Sequence, residues 1–324
     1  MHAIAIEEDQ RLSWCEQPAP GPLQDDEVRL RVVWAGMNRA DLMQRAGQYP
    51  PPPGASTILG LEVSGIVSEY GPAVQGLQRG DRVCALLAGG GYAEEVVVSH
   101  HQVLPIPRGM ELREAAALPE VFATAWLNLF MEGALKPGER VLLHAGASGV
   151  GTAAIQLCRA FGHPCFVTAG NEEKLDACRT LGADGAWNRH QGSFVEAVKA
   201  WGGADMILDP VGASYLADNQ QVLNADGRLV LIGLMGGRTA ELDLGRMLMK
   251  RQRLIGSTLR AKPAHAKGEI LTALRTHVWP LLERDEVMPI IDRHYPVERA
   301  EQAMEYLASD ASLGKVLLSV GQEG

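Results

Sequence analysis

Cysteine is scarce. The 324 residues hold five, Cys15, Cys84, Cys158, Cys165 and Cys178, with no CxxC pair and no Cys/His cluster at zinc-finger spacing. They read as small apolar residues of a chain kept in a reducing cytoplasm. Long apolar runs are missing as well. Nothing approaches the roughly 18 consecutive apolar residues of a membrane span. The N-terminal MHAIAIEEDQ carries acids and no apolar signal-peptide core. An excess of basic charge is also absent: the net charge is −9 and the pI is near 5.5. That balance argues against general affinity for nucleic acid or an anionic membrane, although a locally basic pocket stays open. No internal repeat is present, and the only low-complexity tract is the PPPPG run at 50–54.

What remains is an ordinary globular composition, 46% apolar and 21% charged, on a chain long enough for two domains. Residues 1–118 are β-rich, with short Val-rich runs such as EVRLRVVWAG (27–36), SGIVSEYG (64–71) and YAEEVVVS (92–99) cut by Gly, Pro and Asp. Their spacing suggests a compact barrel-like sheet. Over residues 119–259 the rhythm changes to six strand-like runs alternating with helical ones, which implies a doubly wound parallel sheet. One of those helices, NEEKLDACRTLGA, starts at Asn171 as N-cap, with Glu172 and Glu173 in its first turn. Residues 260–324 form a tail: a long helix over AHAKGEILTALRTHVWPLLERD, an extended MPIIDRHY, a helix and a final strand GKVLLSV. The tail is expected to rejoin the first domain, making the parallel-sheet domain an insertion.

The stretch LLHAGASGVGTAAIQL (142–157) links a strand to a helix through an unusually crowded set of small residues. Gly146-x-Ser148-x-x-Gly151 nearly matches the dinucleotide fingerprint, with Ser148 in the middle glycine's place. The pattern predicts a tight turn at Gly146 and backbone N–H groups open to a pyrophosphate at the helix N-terminus. Helix–strand packing alone could ask for the same residues. An acid roughly 20 residues on would hold the ribose 2′-OH of NAD. The second strand instead ends in Ala169-Gly170-Asn171, with Lys174 one turn on and Arg189 past the third strand. Those charges favour a 2′-phosphate and hence NADPH. The alternative reading makes them solvated surface charges, and Glu172 and Glu173 keep NADH open.

Taken in order, MNRADLMQRAGQYPPPPGASTILGLEVSG (37–65), LLHAGASGVGTAAIQL and IGLMGG (232–237) resemble the zinc-independent quinone oxidoreductases of the medium-chain dehydrogenase/reductase superfamily. They are most similar to the stress-induced NADPH:quinone oxidoreductase branch, with zeta-crystallin more distant. The resemblance covers the whole chain and implies a Rossmann domain inserted in a GroES-like catalytic domain. Metal-using relatives carry a ligand Cys where Asn38 stands and a ligand His where Leu61 stands, so no zinc site is expected. Glu62 then reads as a structural carboxylate. Without a Lewis acid worth several kcal/mol, a quinone or activated enone is the expected hydride acceptor, since its product anion is already stabilised.

The resemblance also implies residue roles. Ser148, Gly149 and Val150 would meet the pyrophosphate, with Gly151 closing helix on strand; Gly170, Lys174 and Arg189 would surround the 2′-phosphate. Thr124, Gly233, Leu234, Met235, Thr258, Leu259 and Ser312 would complete the cofactor contacts. Tyr49 would approach the nicotinamide, and Asn38 and Tyr49 would orient the substrate oxygen. His144, inside a strand, reads as structural, and no obligatory acid stands out. The expected protein is a cytoplasmic homodimer reducing a quinone with NADPH. An enone or 2-enoyl-thioester reductase and a non-catalytic cofactor-binding protein are the alternatives.

Overall fold

The computed structural model describes residues 1–322. They form two units: Met1–Ala123 together with the chain from Leu259 onward, and Thr124–Thr258. The first break falls inside the helix Pro119–Trp126, a few residues past the change of rhythm read from the sequence.

The first unit is built on a seven-stranded sheet. Its path runs Ile291–Pro296, Lys315–Ser319, Glu27–Gly36, Glu62–Tyr70, Arg82–Leu86, Val103–Pro105, with Glu95–Ser99 also paired to Glu27–Gly36. All the pairings are antiparallel except that between the two tail strands. Val28, Leu30 and Val32 alternate inward from the longest strand and join Val63, Val67, Val83 and Val316 in one core. Gly65 is required here, because a Cβ would lie 2.1 Å from the Arg31 carbonyl oxygen on the neighbouring strand. The tail rejoins this unit through Lys315–Ser319, whose Leu317 pairs with Gly36.

The tail's long helix is broken. Ala264–His277 ends at Val278, and Trp279–Leu282 starts afresh with Pro280 in its first turn. Proline lacks the N–H and clashes with the preceding turn, so a single helix through AHAKGEILTALRTHVWPLLERD cannot continue.

The second unit is a six-stranded, fully parallel sheet in the order Gly185–Asn188, Cys165–Ala169, Val141–Leu143, Ala204–Asp209, Leu223–Leu231, Arg253–Gly256. Its central strands are buried along nearly their whole length, as parallel strands covered on both faces must be. The chain winds outward in opposite directions from Val141–Leu143. The switch point of the sheet therefore lies beside that strand's carboxyl end, where ligands bind in such folds. Asn171 caps the next helix by accepting the Lys174 N–H at 2.9 Å, and Gly182 ends it at φ +122°.

Arg228 ties this unit together. Its guanidinium, 3% exposed, donates to Glu139 Oε1 and Oε2 at 3.0 and 2.7 Å and to the carbonyls of Gly133, Ala134 and Asp205. Arg228→Met leaves three carbonyls and a carboxylate without their donor. It is expected to cost about 3–5 kcal/mol in urea unfolding, a loss typical of breaking a buried ion pair from one side.

Candidate functional site

In the second unit the glycine turn is built differently from the expectation. The residue in the left-handed region is Ala145, at φ +54°, and Gly146 has no positive φ. Gly146 is needed for packing instead: a Cβ there would sit 2.8 Å from Val167 Cβ on the adjacent strand. Gly151 lets the helix close on the turn, since its Cβ would meet the Ala145 carbonyl oxygen at 2.4 Å. Ser148 caps the 12-residue helix Gly149–Ala160 by accepting the Gly151 N–H at 3.1 Å. The first intrahelical bond runs from Thr152 N–H to the Ser148 carbonyl, so the N–H groups of Gly149 and Val150 precede the ladder. Ser148 is exposed and both following residues are half-buried. Backbone donors at the positive end of a long helix suit an anionic pyrophosphate.

The end of the neighbouring strand adds cationic charge. The Arg189 guanidinium lies over Gly170, such that a Cβ on Gly170 would be 3.2 Å from its Nη2. Lys174 is buried in the first turn of the following helix and is not a solvated surface charge. Glu172 accepts a hydrogen bond from Asn188 Nδ2 at 3.3 Å.

The other expected contacts of this unit are spread along the chain. Gly233 packs against the Pro210 carbonyl oxygen, which a Cβ would approach to 2.7 Å, and Leu234 and Met235 are 45% exposed beyond the fifth strand. Thr258 is exposed after the sixth. Thr124 is half-buried, and its carbonyl accepts Asn128 Nδ2 at 2.7 Å, just where the helix widens to a π-helix over Leu127–Glu132. His144 is buried, with Nδ1 at 3.0 Å from Thr168 Oγ1 and Nε2 at 2.7 Å from Asn219 Oδ1. Burial holds its pKa below the usual imidazole value.

The first unit holds Asn38, Tyr49, Leu259 and Ser312; Leu259 is buried and Ser312 half-buried. It also holds a polar centre of which the sequence reading named Asn38 and Glu62 and missed Lys315 and Glu120. Glu62, fully buried, pairs with Lys315 Nζ at 2.6 Å. The same Oε1 accepts Asn38 Nδ2 at 3.0 Å, and Oε2 accepts the Glu120 N–H at 2.9 Å. Lys315 also donates to Asn38 Oδ1 at 2.8 Å. The Asn38 amide is thus engaged on both sides, and it reaches a substrate oxygen only by releasing its 3.3 Å bond to the Gly36 carbonyl. Beside it, Asp41 accepts from Asn38 N–H, Gly60 N–H and the Tyr92 hydroxyl at 2.8, 3.2 and 2.7 Å.

Tyr49 is anchored by Arg260. That guanidinium lies 5.3 Å from the Tyr49 ring centroid and donates to the Tyr49 carbonyl, the Ala88 carbonyl and Gln44 Oε1. Burial raises the Tyr49 hydroxyl pKa, and the Arg260 charge works against that rise. Glu120 stands apart from these satisfied groups. Its Oε2 is buried and finds no hydrogen-bond partner among the described residues. Burial first, and the Glu62 charge second, push its carboxyl up to about 8.

Two outcomes follow from this geometry. Gly151→Ala forces a Cβ into the turn, and overpacking of that kind should cost about 1–3 kcal/mol in urea unfolding. Glu120 binds its proton more tightly in the folded chain than at the ordinary 4.5, so its contribution is full below pH 4.5 and is lost as pH rises through 8. Glu120→Gln should therefore gain stability relative to the wild type between pH 5 and pH 9, as read by urea unfolding at both ends.

Among the described residues, no three His, Cys, Asp or Glu side chains are grouped as a metal-ligand set. Glu62, moreover, has both oxygens committed. Residues 24–108 match the family model for the alcohol dehydrogenase GroES-like domain, and residues 149–275 match that for zinc-binding dehydrogenases. The chain is 33% identical to the synaptic vesicle membrane protein VAT-1 homolog of Rattus norvegicus, over 94% of this chain and 79% of that protein. It is 31% identical to quinone oxidoreductase-like protein 2 of Bos taurus, over 94% of this chain and 88% of that one. Among solved structures it resembles the quinone oxidoreductase of Thermus thermophilus, described also in complex with NADPH. The TM-score is 0.82 at 33% identity, covering 99% of this chain and 100% of that one. Two domain models in the order of the fold and full-length relatives lead to one conclusion: the chain belongs to the zinc-independent, quinone oxidoreductase-like proteins of the medium-chain dehydrogenase/reductase superfamily.

Proposed function

We propose that this oxidoreductase uses NADPH to reduce a quinone. The observation that carries the cofactor choice is the cationic pair at the end of the second strand, Arg189 over Gly170 and Lys174 in the next helix's first turn. Charge-assisted bonds to a phosphate contribute about 1.5–3 kcal/mol each, enough to separate NADPH from NADH by more than tenfold. When bound, the nicotinamide supplies the hydride. Ser148, Gly149, Val150 and Gly151 hold the pyrophosphate by their backbone, and Thr124, Gly233, Leu234, Met235, Thr258, Leu259 and Ser312 are the remaining proposed contacts. Tyr49, fixed by Arg260, and Asn38, fixed by Glu62 and Lys315, orient the substrate oxygen.

The substrate class follows from what the residues cannot supply. Asn38 and Leu61 are not zinc ligands, and Glu62 is saturated by Lys315, Asn38 and the Glu120 N–H. A carbonyl that becomes a stabilised aromatic oxyanion needs no Lewis acid to accept hydride. The edge strand Arg253–Gly256, following a helix that leaves Leu244, Leu248 and Met249 69–77% exposed, supports a homodimer formed through this edge.

Arg189→Ala should raise the Kd for NADPH roughly 10- to 100-fold while changing that for NADH less than threefold, measured by quenching of protein fluorescence. Equal losses for both would remove the 2′-phosphate assignment. Turnover with an ortho-quinone should exceed that with a 2-enoyl thioester. The opposite order makes the protein an enoyl-type reductase, and tight NADPH binding with no turnover makes it a cofactor-binding protein.

A further inference from the structure

Reduction of a quinone or enone by hydride leaves a negative charge on oxygen that must take up a proton, and burial raises the pKa of the Tyr49 hydroxyl, which makes it a weaker acid than an ordinary phenol. Asn38 is an amide held by Glu62 and Lys315, so it can orient an oxygen but has no acidic proton to give up. Glu62 has both oxygens occupied, and Asp41 accepts three hydrogen bonds. Arg260 is committed to two carbonyls and Gln44. One acidic group is different. Glu120 is the second residue of the helix Pro119–Trp126, and its backbone N–H is pinned on Glu62 Oε2 at 2.9 Å, which fixes where its side chain starts. One oxygen of the carboxyl, Oε2, is buried and without a partner among the described residues, on a residue that is half-buried as a whole.

We propose that Glu120 is the proton donor of this site, delivering the proton of its carboxyl group to the substrate oxygen that becomes anionic on reduction. The inference rests on the reductase reading above. Hydride brings two electrons and one hydrogen nucleus to the substrate. The Glu120 O–H bond then breaks as the substrate O–H bond forms, and the carboxylate left behind takes a proton from solvent. The surroundings keep the acid loaded. Glu62 and Asp41 bring like charge to it, Lys315, Lys267 and Arg260 bring opposite charge, and burial together with Glu62 outweighs the cations. The carboxyl therefore stays protonated through neutral pH, up to about 8. Glu62 holds the Glu120 N–H on one oxygen and Asn38 Nδ2 on the other, which sets the donor's backbone beside a residue proposed to orient the substrate.

The test has two readouts. In protein labelled with carbon-13 at glutamate carboxyls, the resonance lost in Glu120→Gln should titrate near pH 8 with no cofactor or substrate added. Titration near 4.5 overturns the proposal. With 1,2-naphthoquinone, the wild-type kcat should fall as pH rises through 8. Glu120→Gln should lower kcat about 100-fold at pH 7, abolish that fall, and leave the fluorescence Kd for NADPH within twofold. Glu120→Asp, which keeps the acid, should recover part of the rate and a basic limb. A Glu120→Gln enzyme with wild-type kcat and the same limb overturns the proposal. A wild type that binds NADPH but reduces neither quinones nor enones overturns the reductase reading and the proposal with it. A carboxyl still titrating near 8 would identify that failure as one of the reaction assigned and not of the acid.

Discussion

The first unit depends on one ion pair, Glu62 with Lys315, sealed at 0% and 3% side-chain exposure. Two charges taken out of water cost several kcal/mol each unless every remaining lone pair and proton is used. That requirement organises the neighbourhood. Asn38 must span both members of the pair, Glu120 must offer its backbone N–H, and the last strand must run beside Glu27–Gly36 to deliver the lysine. A metal ion would otherwise supply fixed positive charge in such a centre. Here a lysine supplies it, and the positions that could ligate a metal hold an amide and a leucine side chain.

The second unit solves a different problem with backbone instead of charge. The turn proposed to hold the pyrophosphate is made by what is left out: no Cβ at Gly146 against Val167, none at Gly151 against the Ala145 carbonyl, and only a short hydroxyl at Ser148. Ala145 bears the conformational strain that the sequence pattern assigns to glycine, with its φ of +54° held by Gly146 N–H to Thr168 O and Ser148 N–H to Ala145 O. Cationic charge stands at the end of the neighbouring strand, on Arg189 and Lys174. On the proposed reading, an acidic chain holds an anionic nucleotide through a local arrangement, with net charge having little say.

Local patterns in the sequence were legible where they reported local structure. The alternation of strand and helix, the cap at Asn171 and the crowded turn at 145–151 all rest on neighbours a few residues apart. The first unit's polar centre rests on Asn38, Glu62, Glu120, Arg260, Lys267 and Lys315, which the chain keeps far apart and the fold gathers. No periodicity announces such a set. Glu120 reads as an ordinary acid in a helix's first turn, a favourable place for any carboxylate. Only the three-dimensional surroundings show that one of its carboxyl oxygens is buried without a partner among the described residues. Pro280, by contrast, was visible all along, and a rule already in hand would have broken the tail helix there.

The host unit is interrupted by its guest, and this has a bearing on synthesis. The nucleotide-binding unit is one continuous stretch, so it can be complete while the ribosome is still translating the tail. Glu62 emerges early, but its counter-ion comes only after the whole guest has been made. Until Lys315 arrives, the earlier strands surround a carboxylate that lacks its counter-ion. The emerging first half is thereby biased to stay open and hydrated at that spot, and arrival of the final strand becomes the event that lets it close.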